Sequence, residues 1–215
     1  MLTMTLQQDY RVDSRRIHLV GVSNGAMLAM LVATKMPGVF AGVVSWYGGF
    51  LQGMLPDVWS RARRVLEGTS ILALHGLKDE RIPATGGSSR EGYRYEPLAV
   101  AVASWASHNG CDGRPSAYAL PLPLPLPTSD CSQHRGCSHA SVRVAVCLFP
   151  NEDHAFWVAG AERLTWDFLS KQSLPVGLEA QGTAGSGREL KVKRGVHAKP
   201  TTRGRLSSAR LSQRS

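Results

Sequence analysis

A hydroxyl, an imidazole and a carboxylate can together make a serine nucleophilic, because the imidazole takes the hydroxyl proton and the carboxylate holds the imidazole in place. The chain carries Ser23, Asp79 and His154 in this order, each shortly after a predicted strand. Serine, then acid, then histidine is the order found in one large class of such triads. We therefore predict acyl-transfer chemistry, with Ser23 as the nucleophile, His154 as the general base and Asp79 as the acid.

Ser23 stands in the pattern Gly-x-Ser-x-Gly, between a predicted strand and a predicted helix. Residues 17–20 form a short apolar run typical of a buried strand, and apolar residues recur at helical spacing from Ala26 until residues 36–38, Met-Pro-Gly. A sharp turn between such elements holds the hydroxyl out, and it requires small residues on either side of the serine, which the two glycines provide. The helix start directs backbone N–H groups, that of Asn24 first, at a developing oxyanion.

The acid and the histidine follow other apolar runs of the same kind. Residues 39–46, 71–76 and 142–149 are predicted strands, and Asp79 and His154 come shortly after the second and the third of these. The carboxyl ends of parallel strands share one edge of a sheet, which is where the active sites of such sheets lie. We therefore expect both side chains to meet the nucleophile at that edge.

Other ionisable residues lie close to these candidates in the sequence. Glu80 and Asp153 are alternatives for the acid, although Asp153 directly precedes His154, which makes a good carboxylate–imidazole geometry difficult. A loop carboxylate such as Asp79 could instead pair with a neighbouring cation, and a loop histidine could simply be solvated. His75, at the end of a strand, is predicted to be structural.

The remaining segments complete an alternation of strands and helices. Predicted helices cover residues 24–36, 97–109 and 161–171. Such alternation is typical of a parallel sheet in an α/β layered fold, and the folded domain would span residues 1–173. Residues 112–141 show no periodicity and contain a Pro-Leu repeat at 121–127, so we predict a Pro-rich surface insertion there.

The formal net charge of +9 belongs to the end of the chain rather than to the predicted domain. Residues 174–215 contain nine Lys or Arg and two Glu, a net charge of +7. The other residues contain 16 Lys or Arg and 14 Asp or Glu, a net charge of +2. This basic tail is rich in Gly, Ser and Arg and has no aromatic residue, so we predict that it is disordered. Binding of the tail to nucleic acid or to an anionic surface is the less favoured alternative.

Several classes of protein and site are disfavoured by composition. No apolar run approaches the length of a membrane span, and residues 1–16 lack the basic-then-apolar layout of a secretory signal peptide.

The chain has four cysteines and no Cys-x-x-Cys pair. Cys131 and Cys137, with His134 and His139 nearby, have the spacing of no common zinc finger, so no metal is predicted. A disulfide between two loop cysteines is favoured if the protein is exported.

Four motifs occur in an order that can be compared with known families. They are residues 10–27 (YRVDSRRIHLVGVSNGAM), residues 75–83 (HGLKDERIP), residues 105–111 (WASHNGC) and residues 135–137 (RGC). In the family that they resemble, the first motif surrounds the nucleophile and the second is a His-Gly…Asp…Pro segment. The third motif ends a helix there, and the fourth contains a cysteine that precedes the last strand. Together, across residues 10–170, they resemble the poly(3-hydroxybutyrate) depolymerase and feruloyl esterase group of α/β-hydrolases.

This resemblance implies a three-layer α/β-hydrolase fold and hydrolysis of carboxylic esters, with a polyhydroxyalkanoate-type or feruloyl-type substrate and no cofactor. It implies the same nucleophile, acid and base as the residues themselves predict. Because the group is commonly exported, it also implies a disulfide between Cys111 and Cys137. We predict that Trp157 and Tyr47 line the substrate pocket, with core packing as the alternative for Trp157.

The resemblance begins late within the fold of that group. Only 16 residues precede the nucleophile strand, and they lack the early glycine-rich segment that supplies the second oxyanion N–H. We therefore predict only the C-terminal portion of the fold, an N-terminally truncated enzyme that is either active or impaired, since losing one oxyanion donor typically costs about 10²–10³ in rate. Strand 17–20 would then lie bare at a sheet edge unless another polypeptide supplied the N-terminal half.

Overall fold

The apolar and β-branched runs of the sequence form strands that lie side by side in one sheet. The computed structural model describes residues 2–54, 68–119, 129–154 and 160–177. Within them the helices are α1 (Leu2–Asp9), α2 (Asn24–Lys35), α3 (Leu98–His108) and α4 (Ala161–Ser170), with a 3₁₀ turn at Ser14–Arg16. The strands are β1 (His18–Val22), β2 (Gly42–Trp46), β3 (Ser70–Gly76), β4 (Gly87–Ser88), β5 (Arg94–Tyr95), β6 (Ser116–Ala117), β7 (Asp130–His134) and β8 (Val144–Phe149).

The six-stranded sheet has the order β1-β2-β3-β8-β7-β6. β1, β2, β3 and β8 are parallel, with Val20, Val44, Leu72 and Ala145 in register across them. β7 runs antiparallel to β8, and β6 antiparallel to β7, while β4 and β5 form a separate two-stranded ladder. The predicted parallel arrangement is confirmed, and it brings the carboxyl ends of β1, β3 and β8 to the same edge.

Helices cover both faces of this sheet. On one face, α2 and α3 contribute Met30 and Trp105 to a core that includes Ile71 of β3. On the other face, α4 contributes Leu164 and Phe168 to a second core. Every residue of β2 and β3 is buried, which is why both strands are mostly apolar in the sequence. The three-layer α/β arrangement is confirmed, and none of the described helices combines the length and apolar character that crossing a bilayer requires.

Residues 112–141 are not the structureless insertion that their lack of periodicity predicts. They contain β6 and β7, which extend the sheet beyond β8 with two antiparallel strands. The sequence of β7 is Asp-Cys-Ser-Gln-His and most of it is half-buried, so no apolar alternation marks it as a strand. Pairing with β8 is what makes this segment extended. The Pro-Leu repeat at residues 121–127 lies outside the described residues.

The two ends of the predicted domain also differ from expectation. Residues 2–9, a polar segment with no predicted element, form α1. Leu174, which the sequence assigns to the tail, is fully buried, and its N–H donates to the Arg15 carbonyl at 2.9 Å. The Arg15 Nε donates in return to the Leu174 carbonyl at 3.0 Å. The folded part therefore continues past residue 173, and the predicted disorder concerns residues 178–215, which lie outside the described residues.

β1 lies at one end of the sheet. Among the described strands it pairs with β2 alone. Two of its valines, Val20 and Val22, are 53% and 43% exposed. The strand that leads to Ser23 is therefore an apolar edge of the described sheet.

Candidate active site

Ser23 lies on the sharp turn between β1 and α2, and its backbone is strained. Its φ and ψ angles are 54° and −124°, a combination that residues other than glycine rarely adopt. The Ser23 N–H donates to the Trp46 carbonyl at 2.9 Å, and the Ser23 carbonyl accepts from Ala26 and Met27 in the first turn of α2. The hydroxyl makes no capping bond to the helix. The turn therefore leaves the hydroxyl available to another partner.

Of the two glycines that flank Ser23, only Gly21 is required by the space around it. A Cβ at Gly21 would lie 2.2 Å from the carbonyl oxygen of Gly25, so no larger residue fits beneath the turn. A Cβ at Gly25 would meet no described atom within 4 Å. The pattern predicts that both positions must be small, and the surroundings of Gly25 do not impose this within the described part of the chain.

The Ser23 hydroxyl is hydrogen-bonded to the imidazole of His154. Its Oγ lies 2.8 Å from Nε2 of His154, and Nδ1 of His154 lies 2.8 Å from Oδ2 of Asp79. A carboxylate can only accept, so the proton of the neutral imidazole belongs on Nδ1 and Nε2 accepts from the hydroxyl. Side chains that follow β1, β3 and β8 thus form one unbroken chain of hydrogen bonds, an arrangement that can move a proton from the hydroxyl to the imidazole.

Asp79 is buried, and both of its carboxylate oxygens have donors. Its side chain is fully shielded from solvent. Oδ1 accepts from the backbone N–H groups of Arg81 and Ile82 at 2.9 and 2.8 Å, and Oδ2 lies 3.2 Å from Nε2 of His75. Burial alone would raise the pKa of this carboxyl, but hydrogen bonds from His75, Ile82 and His154 outweigh burial and hold the pKa below its ordinary value of 3.8. Asp79 therefore carries its negative charge at neutral pH.

A glycine at the end of β3 lets the loop that bears His154 approach this acid. A Cβ at Gly76 would lie 2.3 Å from the carbonyl oxygen of Glu152. The same carbonyl accepts from the N–H of Lys78 at 2.9 Å. The two loops are thereby joined through their backbones, two residues before His154 and one residue before Asp79.

Tyr47, which the sequence predicts as a pocket residue, packs against the imidazole. The ring centroids of Tyr47 and His154 lie 5.2 Å apart with an interplanar angle of 52°, and Tyr47 is only 4% exposed. Its φ is 39°, so among the described residues Ser23 and Tyr47 are the two non-glycine residues with positive φ. Burial, followed by the charges of Asp79 and Asp153, raises the pKa of Tyr47, which keeps the phenol protonated beside the base.

The structure also places the other candidates from the sequence. The side chains of Glu80 and Asp153 are exposed, and the carboxylate bonded to the imidazole is that of Asp79. Asn24 is the first residue of α2, where backbone N–H groups have no acceptor within the helix. Trp157 lies outside the described residues.

The four cysteines form two disulfides. Cys111, which follows α3, is bonded to Cys137, the pair that the resemblance implies. Cys131 on β7 is bonded to Cys147, its register partner on β8. Cys131 and Cys137 therefore belong to different disulfides, and neither is a free thiol. Across the described residues, no three His, Cys, Asp or Glu side chains are grouped as they would be around a metal ion.

The contact between His75 and Asp79 is the feature of the site that sequence reasoning missed. The two residues are four apart, on either side of the turn that follows β3. A second histidine at this short distance from a candidate acid is the signal that could have pointed to it. Its partners, the Asp79 carboxylate and the Ile82 carbonyl, depend on how that turn folds.

Comparison with known proteins gives matches by family and by fold. A family profile described as Phospholipase/Carboxylesterase matches residues 2–98, which include the turn at Ser23 and the acid Asp79. No curated relative matches the sequence. These residues make up less than half of the chain. The match supports a carboxylesterase-type hydrolase without assigning the whole chain to the family.

Among solved structures, an acetyl xylan esterase from Aspergillus awamori is similar at a TM-score of 0.55 and 18% sequence identity, over 80% of this chain and 65% of that one. An acylaminoacyl peptidase from Pyrococcus horikoshii has a TM-score of 0.40 and 12% identity, over 78% and 24% of the two chains. A puromycin hydrolase has a TM-score of 0.41 and 16% identity, over 79% and 23%. The chain thus spans 65% of the length of the esterase and about a quarter of the other two.

The family profile supports a carboxylesterase-type hydrolase, a broader class than the group that the motifs resemble. The assignment to poly(3-hydroxybutyrate) depolymerases or feruloyl esterases rests on the motif resemblance alone, so it stays a proposal. The sheet order, the helices on both faces and the similarity to the acetyl xylan esterase agree on the architecture. The chain has an α/β-hydrolase fold.

Proposed function

We propose that this protein hydrolyses carboxylic esters through an acyl-enzyme formed on Ser23. The observation that carries the proposal is the unbroken chain from the Ser23 hydroxyl through His154 to the Asp79 carboxylate, with both hydrogen bonds at 2.8 Å. The match of residues 2–98 to a phospholipase and carboxylesterase family supports the same reaction class.

In this mechanism, Oγ of Ser23 attacks the ester carbonyl carbon while its proton moves to Nε2 of His154. The Asp79 carboxylate stabilises the resulting imidazolium through Nδ1 and keeps its ring oriented. Collapse of the tetrahedral intermediate breaks the bond to the alkoxide, which leaves as an alcohol with the proton from Nε2. Water then attacks the acyl-enzyme, gives a proton to Nε2, and releases the carboxylic acid as Ser23 recovers its proton.

The negative charge on the tetrahedral intermediate needs donors that are already in place. The N–H of Asn24 is the donor we assign, because it starts α2 directly after the nucleophile and the helix dipole adds to its effect. A second N–H in this fold comes from a loop after a strand beyond β1. Among the described residues no strand pairs with the outer edge of β1.

The substrate we propose is a polyhydroxyalkanoate-type or feruloyl-type ester, on the strength of the motif resemblance. Tyr47 supports an acyl pocket beside the imidazole, because its ring already lies against His154. Trp157 is proposed as a second lining residue from its place in the sequence, three residues after His154. The mechanism uses no metal or organic cofactor, and we propose no role for nucleic acid or a membrane.

A second candidate that we propose is a hydrolase of impaired activity, because among the described residues no strand pairs with the outer edge of β1, where a second oxyanion donor would come from. Losing one such donor typically lowers kcat by about 10²–10³. In that case a separate polypeptide that pairs with β1 would restore the rate. Both candidates share the same nucleophile and base, so they differ in rate rather than in chemistry.

Labelling with a fluorophosphonate, read by intact mass, tests the proposal. We expect one label per wild-type chain, no label in Ser23→Ala, and full labelling in Ser107→Ala, a control at an exposed serine of α3. The wild-type protein, once shown to take the label, is then assayed with p-nitrophenyl acetate, methyl ferulate and a 3-hydroxybutyrate oligomer. The relative rates of hydrolysis rank the acyl groups that it prefers. A wild-type chain that melts cooperatively but takes no label would contradict the proposal, whereas full labelling with slow ester hydrolysis would favour the impaired hydrolase.

A further inference from the structure

His75 is a buried histidine whose two ring nitrogens have very different surroundings. Its side chain is 1% exposed, near the end of β3. Nε2 lies 2.7 Å from the Ile82 carbonyl oxygen and 3.2 Å from Oδ2 of Asp79, and both of these atoms are acceptors. Nδ1 is buried and has no hydrogen-bond partner within the described residues.

These contacts decide where the proton lies. Nε2 must be the donor, because neither the carbonyl nor the carboxylate can donate to it. A second proton on Nδ1 would leave a buried N–H without an acceptor, which costs more than leaving a lone pair unused. His75 is therefore the Nε2–H tautomer.

We propose that His75 is a positioning residue for the acid Asp79, holding the carboxylate in the orientation that His154 requires. This proposal rests on the proposed function, because it assigns His75 a part in the same reaction. His75 acts through Asp79, whose Oδ2 it shares with His154.

The first way in which it acts is by fixing the turn at residues 79–82. Ile82 donates its N–H to Oδ1 of Asp79 at 2.8 Å and accepts from His75 through its carbonyl at 2.7 Å. The turn is thereby tied to β3, and β3 is buried along its whole length. Without the His75 donor, the turn that aims the carboxylate would lose its anchor on the sheet.

The second way is through the charge on Oδ2. The His75 N–H faces Oδ2 from one side at 3.2 Å, while His154 donates to the same oxygen at 2.8 Å. The His75 N–H stabilises the negative charge on Oδ2. The carboxylate is therefore a weaker acceptor for the His154 N–H than it would be without His75. Removing it would make Oδ2 a stronger acceptor for His154.

Two phenols, those of Tyr47 and Tyr95, lie close enough to Asp79 to be affected by its charge, and the ionisable side chains of Lys78, Glu80 and Asp153 near it are exposed. Burial raises the pKa of both phenols, and the Asp79 charge raises each further. Both phenols therefore stay neutral across the range in which the enzyme would be assayed. Arg81, whose N–H contacts the carboxylate, directs its guanidinium to Glu91 on the surface, with Nε 3.6 Å from a carboxylate oxygen.

The test compares His75→Phe with His75→Gln and with a matched control next to the same strand. His75→Phe removes the donor and keeps a ring of similar size, whereas the amide nitrogen of His75→Gln can replace Nε2. Thr69 lies beside the opposite end of β3, is 1% exposed, and donates its hydroxyl to the Phe40 carbonyl at 2.8 Å. Thr69→Val therefore removes a buried donor to a backbone carbonyl far from the acid.

We expect His75→Phe to lower kcat per labelled site by about 10–100-fold, the size of effect that follows from misplacing a reacting group, with KM unchanged. We also expect the midpoint of the acidic limb of kcat/KM to move to higher pH, because Oδ2 becomes a stronger acceptor. His75→Gln should recover most of both effects. Thr69→Val should lower Tm and change neither kcat nor the pH profile.

A His75→Phe protein that loses stability as Thr69→Val does, yet keeps the wild-type kcat and pH profile, would overturn the proposal. If His75→Phe does not fold, ¹⁵N chemical shifts of the histidines in the wild-type protein decide, and a proton on Nδ1 of His75 would overturn it. An unlabelled wild-type chain would instead contradict the proposed function, and the tautomer measurement would still test His75. The two failures can therefore be told apart.

Discussion

The two sides of Ser23 differ in how completely the described chain builds them. On the side of the base, His154 and Asp79 are enclosed by donors and neighbouring rings, and the acid is fully buried. Elsewhere around Ser23, the outer edge of β1 leaves Val20 about half exposed, and a Cβ at Gly25 would meet no described atom within 4 Å. Activation of the nucleophile and stabilisation of the oxyanion are thus supported to unequal degrees.

This difference separates two steps of the proposed reaction. Moving the hydroxyl proton requires only groups that the described chain already holds at hydrogen-bond distance. Stabilising the tetrahedral intermediate requires donors aimed at the new charge, and Asn24 provides the one we can assign. We therefore expect reagents that trap an activated serine to respond strongly, and substrates that need the full oxyanion site to respond less.

The largest expected effect comes from breaking the side of the base. Asp79→Asn replaces the charged acceptor by an amide that can hold the imidazole in the wrong tautomer, so kcat should fall by about 10⁴-fold. Kinetics of a chromogenic acetate ester and fluorophosphonate labelling both measure the loss. Glu80→Gln, at the exposed neighbour, is the control and should stay close to wild type.

The same variant tests the pKa of the acid through stability. Because the Asp79 pKa is lowered on folding, its ionisation stabilises the native state above its ordinary value of 3.8, and this contribution disappears as the pH falls through the lower folded-state pKa. The difference in unfolding free energy between wild type and Asp79→Asn should therefore shrink as the pH is lowered below 4. Denaturant titrations across that range measure it, and a difference that grows on acidification would contradict the shift.

A pair of glycine substitutions gives the next largest effect and compares the two sides directly. Gly76→Ala places a Cβ against the Glu152 backbone, 2.3 Å from its carbonyl oxygen, so the loop that bears His154 must move. We expect kcat/KM to fall by about 100-fold and stability by about 1–3 kcal/mol. Gly25→Ala, in the first turn of α2 with nothing within 4 Å, should keep its activity and gain up to about 1 kcal/mol.

The effect of Gly25→Ala also shows whether the space beside this glycine is occupied in solution. If the space beside Gly25 is open in solution, the added methyl group has room and labelling of Ser23 stays complete. If Gly25→Ala is as damaging as Gly76→Ala, another part of the chain or a partner occupies that side. Thermal melting and fluorophosphonate labelling of both variants, measured together, distinguish these results.

The smallest expected effect is at the edge itself. Val20→Lys puts a charge on the exposed face of β1, where it should change the unfolding free energy by no more than about 0.5 kcal/mol and reduce self-association through the strand edge. Val100→Lys, at a valine of α3 that is 46% exposed, is the matched control and should leave association unchanged. Light scattering across a concentration series measures both. Unfolding or lost labelling in Val20→Lys alone would show that the edge is covered.

The parallel sheet and the meeting of the three site residues could be predicted from sequence because their signals are local. Ser23 lies within a five-residue pattern between an apolar run and a helical repeat, and Asp79 and His154 each follow a buried strand. Once the strands are parallel, their carboxyl ends share an edge, and proximity of the three residues follows from topology.

The features that could not be predicted depend on partners far away in the sequence. β7 is extended because β8 offers it an edge, and its disulfide between Cys131 and Cys147 follows from that register. Leu174 is buried because Arg15 bonds to it in the fold, although the residues that follow it read as a polar tail. The contact of His75 with the acid depends on the turn at residues 79–82, whose conformation no periodicity encodes.

The positive φ angles of Ser23 and Tyr47 have a consequence for the evolution and engineering of this chain. Each such backbone costs about 1–3 kcal/mol that a glycine would recover in part, and both residues contact the same imidazole. A directed-evolution campaign that selects for heat resistance alone should therefore drift toward Ser23→Gly and discard the nucleophile. Thermal tolerance and turnover are opposed at this position, so a library must be selected for both at once.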